Sequence, residues 1–119
     1  MSYTDNLKRQ TAELHALIIK NDHIVEHPKG HSAKVLRYRT SCGAEIAVEK
    51  RTGAPLLYFT RRLAEGRLEA LSPDWLSASK TGRNSNLNTL DTFRNNPLAR
   101  LRVTTLDTAR KALDACVSK

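Results

Sequence analysis

Apolar residues recur at helical spacing near both ends of the chain. A helix is predicted from Thr4 to about Asn21, and the apolar positions on one side of it are Leu7, Leu14, Leu17 and Ile18. A second helix is predicted from Asp107 to Val117, with a buried stripe of Leu106, Ala109, Ala112, Leu113, Cys116 and Val117. Both helices are expected to cover a hydrophobic core.

Two segments in the middle of the chain, residues 34–40 and 44–49, alternate between apolar and polar side chains. Alternation with a period of two is typical of half-buried strands. The apolar positions expected to face the core are Leu36, Tyr38, Ile46 and Val48. The two segments are close enough in sequence to form a hairpin.

The register of this hairpin follows from the parity of the paired residue numbers. Both apolar sets share one face only if paired numbers add to an even number, which requires an odd loop such as residues 41–43. Gly43 supplies the left-handed conformation that such a loop needs. The register sets Arg39 opposite Glu45, as an ion pair on the face expected to meet solvent.

The remaining elements complete the predicted fold. Leu56 to Thr60 is a third strand of a meander, and Leu98 to Thr105 is a late strand. Arg61 to Leu71 is compatible with a helix, and Ser72 followed by Pro73 predicts the start of another short helix. The fold class is α+β: a small antiparallel sheet of about four strands packed against amino- and carboxy-terminal helices.

The composition supports a single domain over residues 1–119. Hydrophobic residues make up 39% of the chain and charged residues 27%, close to the values of globular proteins. The apolar runs fall short of the roughly 20 residues that cross a bilayer. The polar start lacks a secretory pattern, and Cys42 and Cys116 lack a zinc-binding spacing. We therefore expect a cytoplasmic chain without a membrane span.

Charge points to the class of partner. Twenty Lys and Arg against twelve Asp and Glu give a formal net charge of +8, and the sequence pI is near 9.9. Such a balance attracts phosphate-rich polymers at long range. The leading interpretation is a non-enzymatic domain that binds DNA or RNA through the phosphate backbone.

Six cations are the candidate binding residues. Two pairs project from single faces of predicted strands, and two further cations lie in the polar loop of residues 79–86, where Gly82 permits an amide nest. The candidates are Arg37, Arg39, Lys80, Arg83, Arg100 and Arg102. If the two strands are neighbours, their arginines form one guanidinium patch, and the planar guanidinium matches phosphate.

Two alternatives remain open. The first is a small nuclease that uses His23, His27 or His31 as acid or base, with an arginine stabilising the transition state. The second is a basic inhibitor or adaptor that docks on an acidic protein. Pro28 and Gly30 break the helix that would align the three histidines, so no metal ion is expected. No cofactor is expected either, because the sequence has no Walker-type loop, GxSxG or HExxH motif.

Aromatic residues are scarce, at 5% of the chain. Phe59, Trp75 and Phe93 occupy positions where a hydrophobic core would need them, and core packing is also the preferred role of Tyr38 and Tyr58. This distribution argues against a platform on which bases of a single strand stack.

Overall fold

A computed structural model provides the fold. It describes residues 3–28, 30, 35–41, 43–49, 54–78, 93–94 and 96–117. The α-helices are α1 (Tyr3–Ile19), α2 (Arg61–Ala64) and α3 (Leu106–Val117), and a 3-10 turn spans Glu69–Leu71. Within the described ranges, no helix combines the length and the apolar character that a membrane crossing requires.

The strands form one antiparallel sheet of six members in the order β1-β2-β3-β4-β6-β5. Their bounds are β1 (Ile24–Glu26), β2 (Val35–Thr40), β3 (Glu45–Glu49), β4 (Leu56–Thr60), β5 (Asp74–Leu76) and β6 (Leu98–Arg102). The α+β class and the meander are confirmed, and the late strand forms over Leu98–Arg102 and ends before the predicted Thr105. The sheet has two more strands than predicted, because the short segments β1 and β5 add its two edges.

The β2–β3 hairpin has the register that parity predicts. Arg39 pairs with Glu45, and Tyr38 pairs with Ile46. Gly43 has a φ of 89°, the left-handed conformation expected of it, while Cys42 lies outside the described residues. A slip of one residue would turn every side chain of the strand to the opposite face, so burial of both faces fixes this register.

One face of the sheet, here called the helix face, packs against the helices. Its strands contribute alternate apolar positions, and α1 and α3 add most of the residues that their helical spacing predicts. Leu106 is an exception, because it is 37% exposed, and the side chain of Leu7 lies outside the described ones. The largest of the fully buried side chains in this core are Tyr38, Phe59, Leu14, Ile18, Ile46, Leu57, Leu68 and Leu113. Full burial of one such aliphatic or phenyl side chain contributes about 1.5–3 kcal/mol.

The opposite face, here called the open face, carries a second and smaller apolar cluster. Its buried members are Val35, Ala47, Leu56, Tyr58, Phe93 and Leu98, with Leu76 packed against them. Phe93 comes from the segment before β6 and covers the strands. Polar residues predicted to lie in solvent beside this cluster are therefore partly enclosed.

The helix predicted to start at Ser72 is wrong. Asp74 to Leu76 instead forms β5, which pairs with β6 along its free edge. Ser72 has a φ of 54°, and the proline after it disfavours right-handed helical backbone at that position. Pairing with an existing strand satisfies more backbone groups than an isolated helical turn would.

The helix predicted over Arg61 to Leu71 forms only in part. It ends at Ala64, and Gly66 adopts a φ of 79° before the 3-10 turn. Thr60 starts α2 as its N-cap, because the Thr60 hydroxyl accepts a hydrogen bond from the Leu63 amide at 3.4 Å. The left-handed conformation of Gly66 thus prevents the helix from continuing to Leu71.

Candidate functional site

Four charged or titratable side chains meet on the open face, where β1, β2 and β3 lie side by side. Arg37 and Arg39 come from β2, Glu45 from β3, and His27 follows β1. The His27 amide donates to the Arg37 carbonyl at 3.0 Å, which extends the β1–β2 ladder by one residue. Strand register alone therefore brings the four together, and they are called the ionic cluster below.

The Glu45 carboxylate is the centre of the ionic cluster. Its Oε1 lies 2.6 Å from His27 Nε2 and 3.9 Å from Arg39 Nη2, and its Oε2 lies 3.8 Å from Arg37 Nη2. Arg37 Nη2 also approaches His27 Nε2 at 3.4 Å. Glu45 is 8% exposed, so these contacts act in a medium less polar than water and are stronger than at an open surface.

Burial separates the roles of the two arginines. The Arg37 side chain is 12% exposed and is held between His27 and Glu45. The Arg39 side chain is 43% exposed at a similar distance from the same carboxylate. Arg37 is therefore placed to compensate buried charge, whereas Arg39 can also contact an external anion.

A second group of polar side chains lies on the open face, on strands β3, β4, β5 and β6. The Tyr58 hydroxyl donates to Glu49 Oε1 at 2.9 Å. Burial first, and then this hydrogen bond, raises the pKa of Tyr58 to about 12. Arg100 donates to Asp74 Oδ2 at 3.2 Å; desolvation lowers the pKa of Arg100, but its hydrogen bonds to Tyr58 and Asp74 outweigh that effect and raise it.

The strand arginines do not form the single patch that neighbouring strands would give. All four lie on the open face, but β3 and β4 separate β2 from β6. In one row across the sheet, Arg37, Ala47, Tyr58 and Arg100 are successive partners. Three strand spacings of about 4.8 Å put roughly 14 Å between Arg37 and Arg100.

The other predicted site residues have different placements. Arg102 is exposed at the end of β6, in a row with Leu56. Lys80 and Arg83 lie outside the described residues. The ion pair of Arg39 and Glu45 is present, but the expectation that it faces solvent is wrong for Glu45. The reason is that alternation assigns a residue to a face and does not show whether that face is covered.

An arginine-lined surface that the sequence analysis missed lies at the end of the sheet where β3 begins and β4 ends. One open groove, the Arg67 groove, is lined by Gly43, Ala44, Glu45, Thr60, Arg62, Leu63 and Arg67. The next, the Asn96 groove, is lined by Thr60, Arg61, Arg62, Glu65, Asn96 and Pro97. Arg62 lines both. The adjacent pair Arg61–Arg62 directly after a predicted strand is the signal that could have found this surface.

Trp75 is not in the core, contrary to the prediction, whereas Phe59 and Phe93 are fully buried. Trp75 is 42% exposed on the edge strand β5, and the Arg61 guanidinium lies over its ring, 5.9 Å from the centroid. Tyr38 and Tyr58 are buried as expected. The chain therefore has an exposed indole beside the arginine-lined grooves.

Of the three spaced histidines, the structure describes His23 and His27, and they have different surroundings. His23 is exposed, His27 belongs to the ionic cluster, and His31 lies outside the described residues. Among the side chains that the structure describes, no group of three or more His, Cys, Asp and Glu is arranged to hold a metal ion.

The chain was compared with protein-family models, with curated proteins and with solved structures, and none of them matches. Its function is therefore inferred from the arrangement of side chains described above.

Proposed function

We propose that this chain is a non-enzymatic domain that binds nucleic acid through the phosphate backbone. The observation that carries the proposal is the pair of open grooves beside α2, where exposed Arg61 and Arg62 stand next to Arg67. The formal net charge of +8 supplies long-range attraction toward such a polymer.

The charges around these grooves leave a positive balance for phosphate. Glu45 faces Arg37 and Arg39, and Glu65 Oε1 accepts a hydrogen bond from Arg61 Nε at 2.5 Å. Arg62 and Arg67 are the cations that line the Arg67 groove, and Arg67 Nη1 also donates to the Ala115 carbonyl at 3.0 Å, a contact that leaves its positive charge in place. Guanidinium groups suit phosphate because their planar donors match two of its oxygens at once.

The six residues chosen from the sequence divide into different roles under this proposal. Arg39 and Arg102 are exposed enough to contact phosphate, and Arg37 and Arg100 mainly hold carboxylates of the open face. Lys80 and Arg83 stay candidates on the sequence alone. Phosphate contacts of this kind position a nucleic acid without reading its bases.

The test is a titration of labelled duplex DNA, single-stranded DNA and RNA over a range of salt concentrations. Binding should weaken steeply with salt, with a log–log slope near −0.9 per phosphate contacted on duplex. The double variant Arg62→Ala with Arg67→Ala should lower the magnitude of the slope by about one per lost contact.

The matched control is Arg110→Ala with Lys111→Ala, which removes the same charge from exposed positions of α3 that do not line the two grooves. It should reduce affinity less than the groove variant. Absence of binding at low salt, or affinity independent of salt, would contradict the proposal and leave an acidic protein as the partner to seek.

The short contact between His27 and Glu45 favours one alternative, a small nuclease. A carboxylate that orients a histidine, with two arginines within 4 Å of it, is an arrangement that can transfer protons beside a phosphate. The His27 side chain is only 3% exposed, which opposes this role. Cleavage of labelled RNA or DNA that His27→Gln abolishes would establish it.

A further inference from the structure

Trp75 is the only tryptophan in the sequence, and it lies half exposed on the outermost strand of the sheet. Trp is highly buried on average and is enriched at interfaces, where its indole supplies a large apolar contact area. Its neighbour Arg61 is both over the ring and paired with Glu65. The guanidinium and the indole form a short stack, and a second planar group can stack on the exposed part of the indole.

The surface around Trp75 is continuous with the arginine-lined grooves. A third open groove, the Trp75 groove, is lined by Arg61, Glu65, Glu69 and Trp75. It shares Arg61 and Glu65 with the Asn96 groove, which in turn shares Thr60 and Arg62 with the Arg67 groove. An extended chain can therefore lie along α2, from Arg67 at one end to Trp75 at the other.

The charge along this path is uneven. The Arg67 end has the cations Arg62 and Arg67 beside the buried carboxylate of Glu45. The Trp75 end has the carboxylates of Glu65 and Glu69 beside the cation Arg61. Glu69 accepts a hydrogen bond from the Gly66 amide at 2.7 Å, and this contact keeps its pKa below the usual value. A ligand that carries both phosphates and neutral aromatic rings fits such a path, with its phosphates at the Arg67 end.

We propose that the three grooves bind a single-stranded nucleic acid, with one base stacked on Trp75 and phosphates further along the strand held by Arg62 and Arg67. This inference rests on the proposed function and specifies its substrate class. Stacking on an aromatic side chain tolerates any base, because every base has a π face. A base-paired duplex keeps its bases stacked on each other, so it can offer only its backbone to the same surface.

A thymidine oligonucleotide of about 12 residues spans the site sizes usual for such grooves. Binding is followed by the anisotropy of a label on the oligonucleotide and, in the same titration, by the intrinsic fluorescence of Trp75. Since no other tryptophan contributes, quenching by the oligonucleotide reports on Trp75 alone. An abasic oligonucleotide of equal length and a duplex of the same strand serve as probes without a free base.

The expected result is binding of all three probes at low salt, with quenching by the thymidine strand and little by the abasic strand or the duplex. Trp75→Ala should weaken binding of the thymidine strand by about 5- to 150-fold, the range measured for loss of one stacked base. It should leave the abasic strand almost unaffected. Trp75→Phe, which keeps an aromatic ring, should retain most of the affinity.

Val25→Ala is the matched control, because Val25 is a 59% exposed apolar residue on β1, the opposite edge of the sheet. It should not change the affinity for any probe. Circular dichroism confirms that each variant is folded before it is compared.

The outcomes separate this inference from the proposed function. Anisotropy that shows salt-dependent binding without quenching, or with equal loss for the thymidine and abasic strands in Trp75→Ala, overturns stacking on Trp75 and leaves backbone binding intact. Failure of all three probes to bind at low salt overturns both.

Discussion

The helix face and the open face use alternate positions of the same strands, yet they bury different chemistry. On the helix face, β2 to β4 present apolar side chains such as Ile46 and Phe59, and two long helices cover them. On the open face, a small apolar cluster around Tyr58 is flanked by Glu45 on one side and Arg100 on the other. The helix face is thus a conventional core, and the open face combines a small core with ion pairs.

This difference determines which properties each face controls. An apolar core contributes stability that does not depend on pH or on its charged surroundings. Buried carboxylates and phenols contribute stability only in one protonation state. We therefore expect the helix face to set the overall stability. The titratable groups of the open face, together with Tyr38 on the helix face, should set how stability responds to pH, and the open face determines which cations remain exposed.

The largest expected loss of stability comes from a change on the helix face. Phe59→Ala removes a fully buried ring between Ile46 and Ala99, its partners on the neighbouring strands. Such a change should lower the free energy of unfolding by about 3–5 kcal/mol, since it combines lost transfer energy with a cavity. Urea denaturation followed by circular dichroism measures it. A loss comparable with that of an exposed truncation such as Val25→Ala would show that the helix face is not the main core.

A change in the ionic cluster should give the next largest loss of stability. Glu45→Ala removes the carboxylate that His27, Arg37 and Arg39 surround, and loss of one partner from a buried pair costs about 3 kcal/mol. The double variant Arg37→Met with Glu45→Met should recover part of this loss, because no buried charge is then left uncompensated by its partner.

The control for the ionic cluster is Asp107→Asn, which breaks an exposed ion pair with Lys111 on α3. It should change the free energy of unfolding by less than about 1 kcal/mol. If Glu45→Ala and Asp107→Asn cost the same, the ionic cluster behaves as a solvated surface pair, as the sequence suggested.

The comparison of the faces also shows what alternation can and cannot predict. The parity rule gave the pairing of Arg39 with Glu45 because it depends only on local sequence. The same alternation could not show that Glu45 is buried, since one of the side chains that enclose it, His27, is brought there by the pairing of β1 with β2, and the sequence did not predict β1.

The edge strands were the other feature that could not be predicted from the sequence. The three residues of β5 follow Ser72 and Pro73, a local pattern typical of a helix start, but pairing with β6 decides their conformation. The exposure of Trp75 and its nearness to Arg61 depend on that pairing. The candidate surface beside α2 could therefore be located only once the strand order was known, although the net positive charge was evident from the composition.

Tyr58→Phe should reduce the stability that the chain loses at alkaline pH. The pKa of Tyr58 is raised from 10.0 to about 12, so the folded chain keeps this proton at pH values where the unfolded chain releases it. The resulting stability is fully present below pH 10 and is lost as pH rises from 10 through about 12. With allowance for screening, the loss should be on the order of 1–2 kcal/mol.

Urea denaturation over an alkaline range of about pH 9–12 compares Tyr58→Phe with the wild type. The variant should lose less stability than the wild type over this range. It will keep part of the alkaline loss, because burial and the nearby Glu26 also raise the pKa of Tyr38 on the helix face. Equal alkaline losses in variant and wild type would show that Tyr58 does not contribute.

The smallest effect on stability is expected for Arg102→Ala, which separates exposed from enclosed arginines of the open face. Arg102 is exposed at the end of β6, whereas Arg37 is enclosed in the ionic cluster. Truncation of an exposed side chain typically changes stability by less than about 0.5 kcal/mol. If Arg102 contacts phosphate, the magnitude of the salt slope for nucleic-acid binding should fall by about one.

Arg37→Met should do the reverse, with a clear loss of stability and little change in salt slope for the fraction that stays folded. Denaturation and salt titration of both variants measure the two quantities side by side. A variant of Arg102 that unfolds, or an Arg37 variant that changes the salt slope as much as Arg102→Ala does, would contradict this division of the open-face arginines into ligand contacts and compensating charges.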